Sequence, residues 1–265
     1  MLAIHRQAGY NKSSLFASKM EMEKNVHLMR KKDQQGWVCA VIPAAGSSTR
    51  MGGLNKMLLE LDGQPILVRT AAVFQQCAAV NEIVLVCREQ DILPYGKLMK
   101  QYGFDKVRTI VCGGDTRSAS VLAGICACPE NTTLVAVHDG ARPLVTQEII
   151  TEAVNAAAEY GAAAPTVPVK DSIKRVENGE IVADVARDTL AAVQTPQVFR
   201  REMLENALRQ AMQSGRSFTD DCAAVEAFGV TVRATAGSYE NMKVTTPEDI
   251  IMGEAILQNR EENSI

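Results

Sequence analysis

The chain has 265 residues, 46% of them hydrophobic and 22% charged, with a formal net charge of −3. That is enough apolar chain for one large domain or two small ones, and the slight acidity excludes a general basic field for nucleic acid, so any bound phosphate must be held by local cations. Seven scattered cysteines, an odd number, exclude a disulfide framework, and no apolar run reaches the roughly 18 residues that span a bilayer.

Residues 1–36 are polar and irregular and lack the apolar stretch of a signal peptide. They read as a disordered leader ahead of a domain over 37–260, with 261–265 as a tail. From Trp37 the pattern becomes regular. The runs "VCAVIP" (38–43), "EIVLVC" (82–87), "VRTIVC" (107–112) and "TLVAVH" (133–138) are short, apolar and rich in β-branched residues, as befits strands buried on both faces of a parallel sheet. Helical spacing fills the gaps, over Ile66–Cys77, Asp91–Tyr102 and Arg117–Ala127, and a fourth helix is expected from an N-cap at Thr146 to Tyr160, before Gly161. Such alternation predicts βαβ units and a three-layer α/β/α sandwich with a mostly parallel central sheet.

Past residue 162 the rhythm changes. A strand-like run and then alternation surround Asn178-Gly179, a strong hairpin signal. This predicts a protruding β-arm over about 169–194, too thin to be stable alone and suited to packing on another subunit. Helices return over 201–214, 220–228 and 247–257, with a strand "GVTVRATA" (229–236) before the last. The cysteines sit mostly inside apolar runs, and Cys126-Ala-Cys128 lacks zinc-ribbon spacing. They read as reduced, buried thiols of a cytoplasmic protein.

In open parallel sheets, ligands bind beyond the carboxyl ends of the strands, and four polar clusters follow strands at that edge: 44–56, Gly113–Ser120, His138–Arg142 and Lys170–Arg175. The first, "AAGSSTRMGGLNK" (44–56), combines small residues, hydroxyls and the cations Arg50 and Lys56. Its glycines let the backbone approach a ligand, and its amides can cradle anionic oxygens. It has neither the Walker ending nor dinucleotide glycine spacing, and a glycine-rich turn with two solvated cations is the plainer alternative. "CGGDTRSASVLAGI" (112–125) offers Arg117 and Ser120 at a helix start, which a simple helix cap also explains. "VHDGARPLV" (137–145) sets Asp139 beside Arg142, either an internal ion pair or a site. His138 reads as a structural hydrogen-bonder rather than a base, and no Ser–His–Asp order supports a hydrolase triad.

The first stretch, continued as "PAAGSSTRMGGLNKMLLELDGQPIL", resembles the signature of nucleotidyltransferases that join a nucleoside triphosphate to a sugar or polyol phosphate. With "HDGARP", it closely resembles 2-C-methyl-D-erythritol 4-phosphate cytidylyltransferases, Gly140 standing for the usual alanine. The segments "VKDSIKR" (169–175), "VARDTLAAVQTPQVF" (185–199), "SFTDDCAAV" (217–225) and "NMKVTTPEDI" (241–250) follow in the same order, although each alone could be arm charge, a turn, or a helix cap at Thr219 or Thr245.

The resemblance implies that Ala44, Ala45, Gly46, Ser47, Gly113, Gly114, Asp115, Arg117 and Ser120 hold CTP. It further implies that Arg50, Lys56 and Lys243 serve catalysis, and that Asp139, Arg142, Ser172, Arg187, Thr219 and Thr245 surround the polyol phosphate. Magnesium is expected on the CTP phosphates with no direct protein ligands, and a homodimer through the β-arm. Ribitol 5-phosphate cytidylyltransferases share the pattern, and a non-catalytic nucleotide-binding module is the alternative from another class.

Overall fold

The structure is a computed structural model that describes residues 36–46 and 55–263. The expected leader lies outside the described residues apart from Gly36, and so do Ser47 and Arg50.

The first half alternates as its periodicity requires. Strand β1 (Trp37–Pro43) is followed by a single 3-10 turn at Lys56–Leu58 and a small hairpin, β2 (Glu60–Leu61) and β3 (Gln64–Pro65). Then come α1 (Ile66–Gln76), β4 (Glu82–Cys87), α2 (Ile92–Gln101), β5 (Val107–Cys112), α3 (Arg117–Cys126), β6 (Thr132–Val137) and α4 (Gln147–Tyr160). Helix α4 is capped as anticipated: the Thr146 hydroxyl accepts from the Ile149 amide at 3.4 Å, and Gly161 ends the helix in the left-handed region at φ 91°.

The second half contains β7 (Ala162–Pro168), the arm hairpin β8 (Ile173–Glu177) and β9 (Glu180–Val185), β10 (Ala191–Val193), β11 (Gln197–Arg200), α5 (Arg201–Gln213), α6 (Asp221–Ala227), β12 (Arg233–Ala236) and α7 (Pro247–Glu262). Asn178 and Gly179 both take positive φ, 51° and 86°, at the tip of the arm, as a tight hairpin turn demands.

The central sheet is mostly parallel. β5, β4, β1 and β6 form its parallel half in that order, and β11 then pairs antiparallel with both β6 and β7. β10 extends the antiparallel pairing along β7, while β12 joins β7 in parallel. Alternate side chains of β1 face opposite layers. Val38, Ala40 and Ile42 pack with α1, α2 and α4, whereas Cys39 and Val41 pack with α3, α5 and α6. Both faces of the strand are therefore apolar, which explains its unbroken hydrophobic run.

Helix α3 lies hard on the sheet. A Cβ built on Gly124 would stand 2.4 Å from Val41 Cγ1 and 2.8 Å from Val86 Cγ2, so only glycine permits the approach. Helix α7 runs beyond the expected residue 257 and takes in the first residues of the expected tail. Its last turn is tied down by Arg260, whose Nε meets Glu240 at 2.9 Å and whose Nη2 donates to the Leu144 carbonyl at 2.9 Å.

Candidate active site

Sheet order decides where a site can form. The chain leaves β1 for β4 and β5 on one side and returns to β6 on the other, so the carboxyl ends of β1 and β6 flank the switch point where such sheets bind ligands. The pairing continues past the strands: the His138 amide donates to the Val41 carbonyl at 2.9 Å, and the Gly140 amide to that of Pro43 at 3.2 Å. On the other side, the Ala44 amide bonds the Val86 carbonyl at 2.6 Å and the Gly113 amide that of Cys87 at 2.8 Å. Three loops are thus fixed side by side at one edge.

Between them lies a cleft of about 430 Å³. Pro43–Gly46 form one wall, Gly114–Arg117 and Ser120 a second, and Asp139–Ala141 a third, with Lys56, Met57 and Lys243 completing it. Lys56 is held at the start of its 3-10 turn by Asn55, whose side chain accepts from the Met57 amide at 3.2 Å and reaches Tyr95 Oη at 3.0 Å. Lys56 Nζ donates to the Val244 carbonyl at 3.4 Å. Lys243 comes from the segment before α7, which the Val244 amide anchors to the Ala141 carbonyl at 2.8 Å.

Asp139 is the electrostatic centre. Its Oδ2 lies 2.9 Å from Lys243 Nζ and 3.6 Å from Arg142 Nε. Burial opposes its ionisation, but Lys243, with Arg117 and Arg142, outweighs that and holds the carboxyl at about 2. Arg142 also donates to the Asn241 carbonyl at 2.7 Å, and burial pushes its guanidinium below the usual arginine range.

His138 is fully buried behind Asp139. Its Nε2 lies 3.1 Å from the Arg142 carbonyl, which can only accept, so Nε2 carries the proton. Nδ1 then accepts from the Thr195 hydroxyl at 3.0 Å, and that oxygen accepts from the Asp139 amide at 3.1 Å. Burial pushes the imidazole down to about 4. With both nitrogens engaged, His138 orders the loop and is no base. Asn241 braces the same region, donating to the Thr195 carbonyl at 3.0 Å and to Gln194 Oε1 at 3.2 Å.

The cleft therefore gathers Ala44, Ala45, Gly46, Lys56, Gly114, Asp115, Arg117, Ser120, Asp139 and Lys243 from the expected set. Gly113 lies immediately beneath, where an added Cβ would stand 2.6 Å from Ser120 Oγ, and Arg142 stands behind Asp139. Thr245 follows Lys243 and donates to its carbonyl at 2.9 Å rather than lining the cleft. The fourth polar cluster, Lys170–Arg175, leads into the arm instead of the cleft, and Ser172 and Arg187 are exposed there, apart from the cleft lining, with Arg187 Nη1 donating to the Lys170 carbonyl at 2.7 Å. Thr219 is exposed in the loop before α6. The helix caps fall one residue beyond those considered from sequence. Asp220 accepts from the Ala223 amide at 2.9 Å, and Thr246 begins α7 with Asp249 Oδ2 on its amide at 2.8 Å. The Thr219 hydroxyl is therefore not the cap of α6, nor Thr245 that of α7.

Sequence reading missed Thr195, Asn241 and Asp221, which support the cleft from behind. The "QTPQ" and "TDD" runs hold two of them, but nothing local says that they pack against a loop so distant in the chain. Among the described residues, no group of three or more His, Cys, Asp or Glu side chains could hold a metal ion, and no helix is long and apolar enough to cross a membrane.

A family model described as 2-C-methyl-D-erythritol 4-phosphate cytidylyltransferase matches residues 38–259. The cytidylyltransferase of that description from Alkaliphilus metalliredigens is 46% identical over 228 residues, covering 85% of this chain and 95% of the relative. That from Desulforamulus reducens is 45% identical, covering 85% and 97%. Among solved structures, the 4-diphosphocytidyl-2C-methyl-D-erythritol synthase of Anaerococcus prevotii superposes with a TM-score of 0.77 at 30% identity, covering 84% of this chain and 97% of that one. The cytidylyltransferase of Thermus thermophilus gives a TM-score of 0.69, also at 30% identity, over 82% and 98%.

Proposed function

The chain belongs to the 2-C-methyl-D-erythritol 4-phosphate cytidylyltransferase family, and from that premise we propose which of its residues carry the reaction. The enzyme transfers a cytidylyl group from CTP to 2-C-methyl-D-erythritol 4-phosphate, forming 4-diphosphocytidyl-2-C-methyl-D-erythritol and pyrophosphate, a step of non-mevalonate isoprenoid synthesis. A phosphate oxygen of the acceptor bonds to the α-phosphorus of CTP as the bond to the β-phosphate oxygen breaks, and pyrophosphate leaves with that electron pair.

The attacking phosphate is already mostly ionised near neutrality, so removing a proton is not the difficulty. Two anions must be brought together while charge grows around phosphorus, which calls for positioning and fixed cations. Lys56 and Lys243 supply the cations, joined by Arg50 of the preceding loop. The observation that carries this assignment is that Lys56 and Lys243, from opposite ends of the domain, line one cleft at the switch point of the sheet. Gly113–Asp115, Arg117 and Ser120 take the cytidine. Asp139 and Arg142 orient the acceptor, with Thr219 at its rim, Thr245 behind Lys243, and Ser172 reaching it on the arm of a second copy.

Magnesium enters as part of the nucleotide substrate. The two cleft carboxylates are Asp115 and Asp139, and the second is occupied by Lys243, so the donor set suits an ion held by phosphate oxygens, where it offsets their charge. Arg187 grips the acceptor phosphate from the arm of a second copy, in a homodimer that works in the cytoplasm. Support comes from its exposed place outside its own chain's cleft and from the apolar residues along the hairpin.

Pyrophosphate release is the direct test. CTP with methylerythritol phosphate should give rapid release. CTP with ribitol 5-phosphate should give little, and ATP, GTP or UTP much less. Faster release with ribitol 5-phosphate would reassign the acceptor, and no release with either would leave only a nucleotide-binding module.

A further inference from the structure

One charged group close to the cleft has no part in the reaction as described. Asp221, the first residue of α6, is completely buried, with its side chain 1% exposed. Its Oδ2 accepts from Arg117 Nη2 at 2.7 Å, and its Oδ1 is buried with no hydrogen-bond partner. A carboxylate so placed is costly unless a cation answers it, and its neighbours Cys222, Ala224 and Val225 belong to the apolar layer. Burial raises the Asp221 carboxyl above the usual carboxylate range, and Arg117 acts against that shift.

The acid is held from its own side. Gln197 Oε1 accepts from the amides of Asp221 and Cys222 at 3.0 and 3.1 Å, and Gln197 Nε2 donates to Asp220 at 3.0 Å. Arg117 is fixed twice. Its backbone starts α3 under the Thr116 cap, which accepts from the Ala119 amide at 3.1 Å, and its guanidinium is tied by Asp221. The remaining donors belong to a side chain that lines the cleft and is 30% exposed. A planar fork held in advance loses little freedom when it meets a ligand.

We propose that Asp221 is a positioning residue for nucleotide recognition: it holds the Arg117 guanidinium at the wall of the cleft, so that its free donors meet CTP in a preset orientation. This rests on the nucleotide-binding role given to Arg117 above. It makes Asp221 part of the CTP site although, of the pair, Arg117 alone lines the cleft. Because the contact helps ground state and transition state alike, its loss should appear in KM for CTP rather than in kcat.

The test uses full-length Asp221→Asn, Arg117→Ala and the double variant, with kcat and both KM values read from pyrophosphate release. Asp221→Asn is expected to raise KM for CTP about tenfold or more, the scale of a lost charged hydrogen bond, while kcat and the acceptor KM stay within about twofold. The double variant should be no worse than Arg117→Ala alone, as for two residues acting through one contact. A general structural role would instead lower the melting temperature and leave KM for CTP unmoved. A folded Asp221→Asn enzyme with the parent's KM for CTP, or independent losses that multiply in the double variant, overturns the proposal. Asp221→Glu keeps the charge and shifts it by one methylene, so it carries the same reading if neutralising the acid prevents folding. A parent chain that releases no pyrophosphate from CTP overturns the assigned reaction, and this proposal with it.

Discussion

Lys243 and Lys56 are both engaged before any ligand arrives, the first with Asp139 and the second with the Val244 carbonyl. A triphosphate must therefore compete with groups already present, and its higher charge lets it do so. Both ammonium groups line one cleft, and in the proposed reaction fixed cations are worth most where charge develops at phosphorus. Lys56→Ala is expected to lower kcat/KM at least about a hundredfold, on the order of 3 kcal/mol, with an unchanged circular dichroism spectrum. Turnover within threefold of the parent would remove Lys56 from the catalytic set. His138 gives a different signature. Its imidazole is pushed down to about 4 from an ordinary 6.5, so the unfolded chain binds a proton that the native one refuses. Stability from this site is complete above about pH 6.5 and is lost as pH falls toward 4, by up to about 3 kcal/mol. Urea midpoints between pH 7 and 4.5 should drop accordingly, and a His138 resonance, assigned by its loss in His138→Gln, that titrated above pH 6 would contradict the buried neutral ring. Residues of this kind are only half readable from sequence. Asp139 and Arg142 advertise themselves as charges beside a buried strand. Thr195 and Asn241 show no local sign of the hydrogen bonds they make to the same loop.

The helices and parallel strands follow their periodicity closely, because a helix with one apolar stripe and a strand with two apolar faces each have few other ways to be buried. α3, α4 and β4 agree with their expected spans almost to the residue. Short antiparallel pieces do not announce themselves: β10 and β11 hold three and four residues, too few for a period, and their place in the sheet is set by partners distant in the chain. The strand expected over 229–236 shrinks to Arg233–Ala236, since pairing with β7 extends only over Ala163–Thr166. The arm is the element with most left to cover. Val176 is 58% exposed and Ile181 71%, on a two-stranded hairpin that pairs only with itself among the described strands and is marginal in isolation. If the proposed homodimer forms through the arm, Val176→Asp with Ile181→Asp should shift the enzyme toward monomer in sedimentation velocity and depress activity with it; a parent chain that sediments as a monomer would overturn the dimer. Mixing Arg187→Ala with Lys56→Ala subunits should restore part of the activity, because one site per mixed dimer keeps both groups. Verified mixed dimers without recovery would place Arg187 in its own chain's site or in none. Thr116→Ala, which deletes the cap of α3, is expected to cost about 1 kcal/mol in stability and to weaken CTP binding through Arg117.

Across the whole molecule, the cleft exists because four separate stretches of chain end at one edge of one sheet. Sequence alone places three of them there, since each follows an apolar strand. It cannot place the segment around Lys243, which no strand delivers; a backbone bond from Val244 to Ala141 does. Fold class and reaction were therefore readable from motif order. The supporting shell was not, because it depends on packing between segments that share no local pattern.

The tight seat of Gly124 bears on how variants of this enzyme should be judged. Adding a single methyl there would pry α3 from Val41 and Val86, and the same helix carries Arg117 and Ser120 at its opposite end. Such a lesion would look, in a kinetic assay, like damage to nucleotide recognition although Gly124 does not line the cleft. On the proposed roles of Arg117 and Ser120, a position deep in the hydrophobic layer would thus act as a lever on substrate affinity.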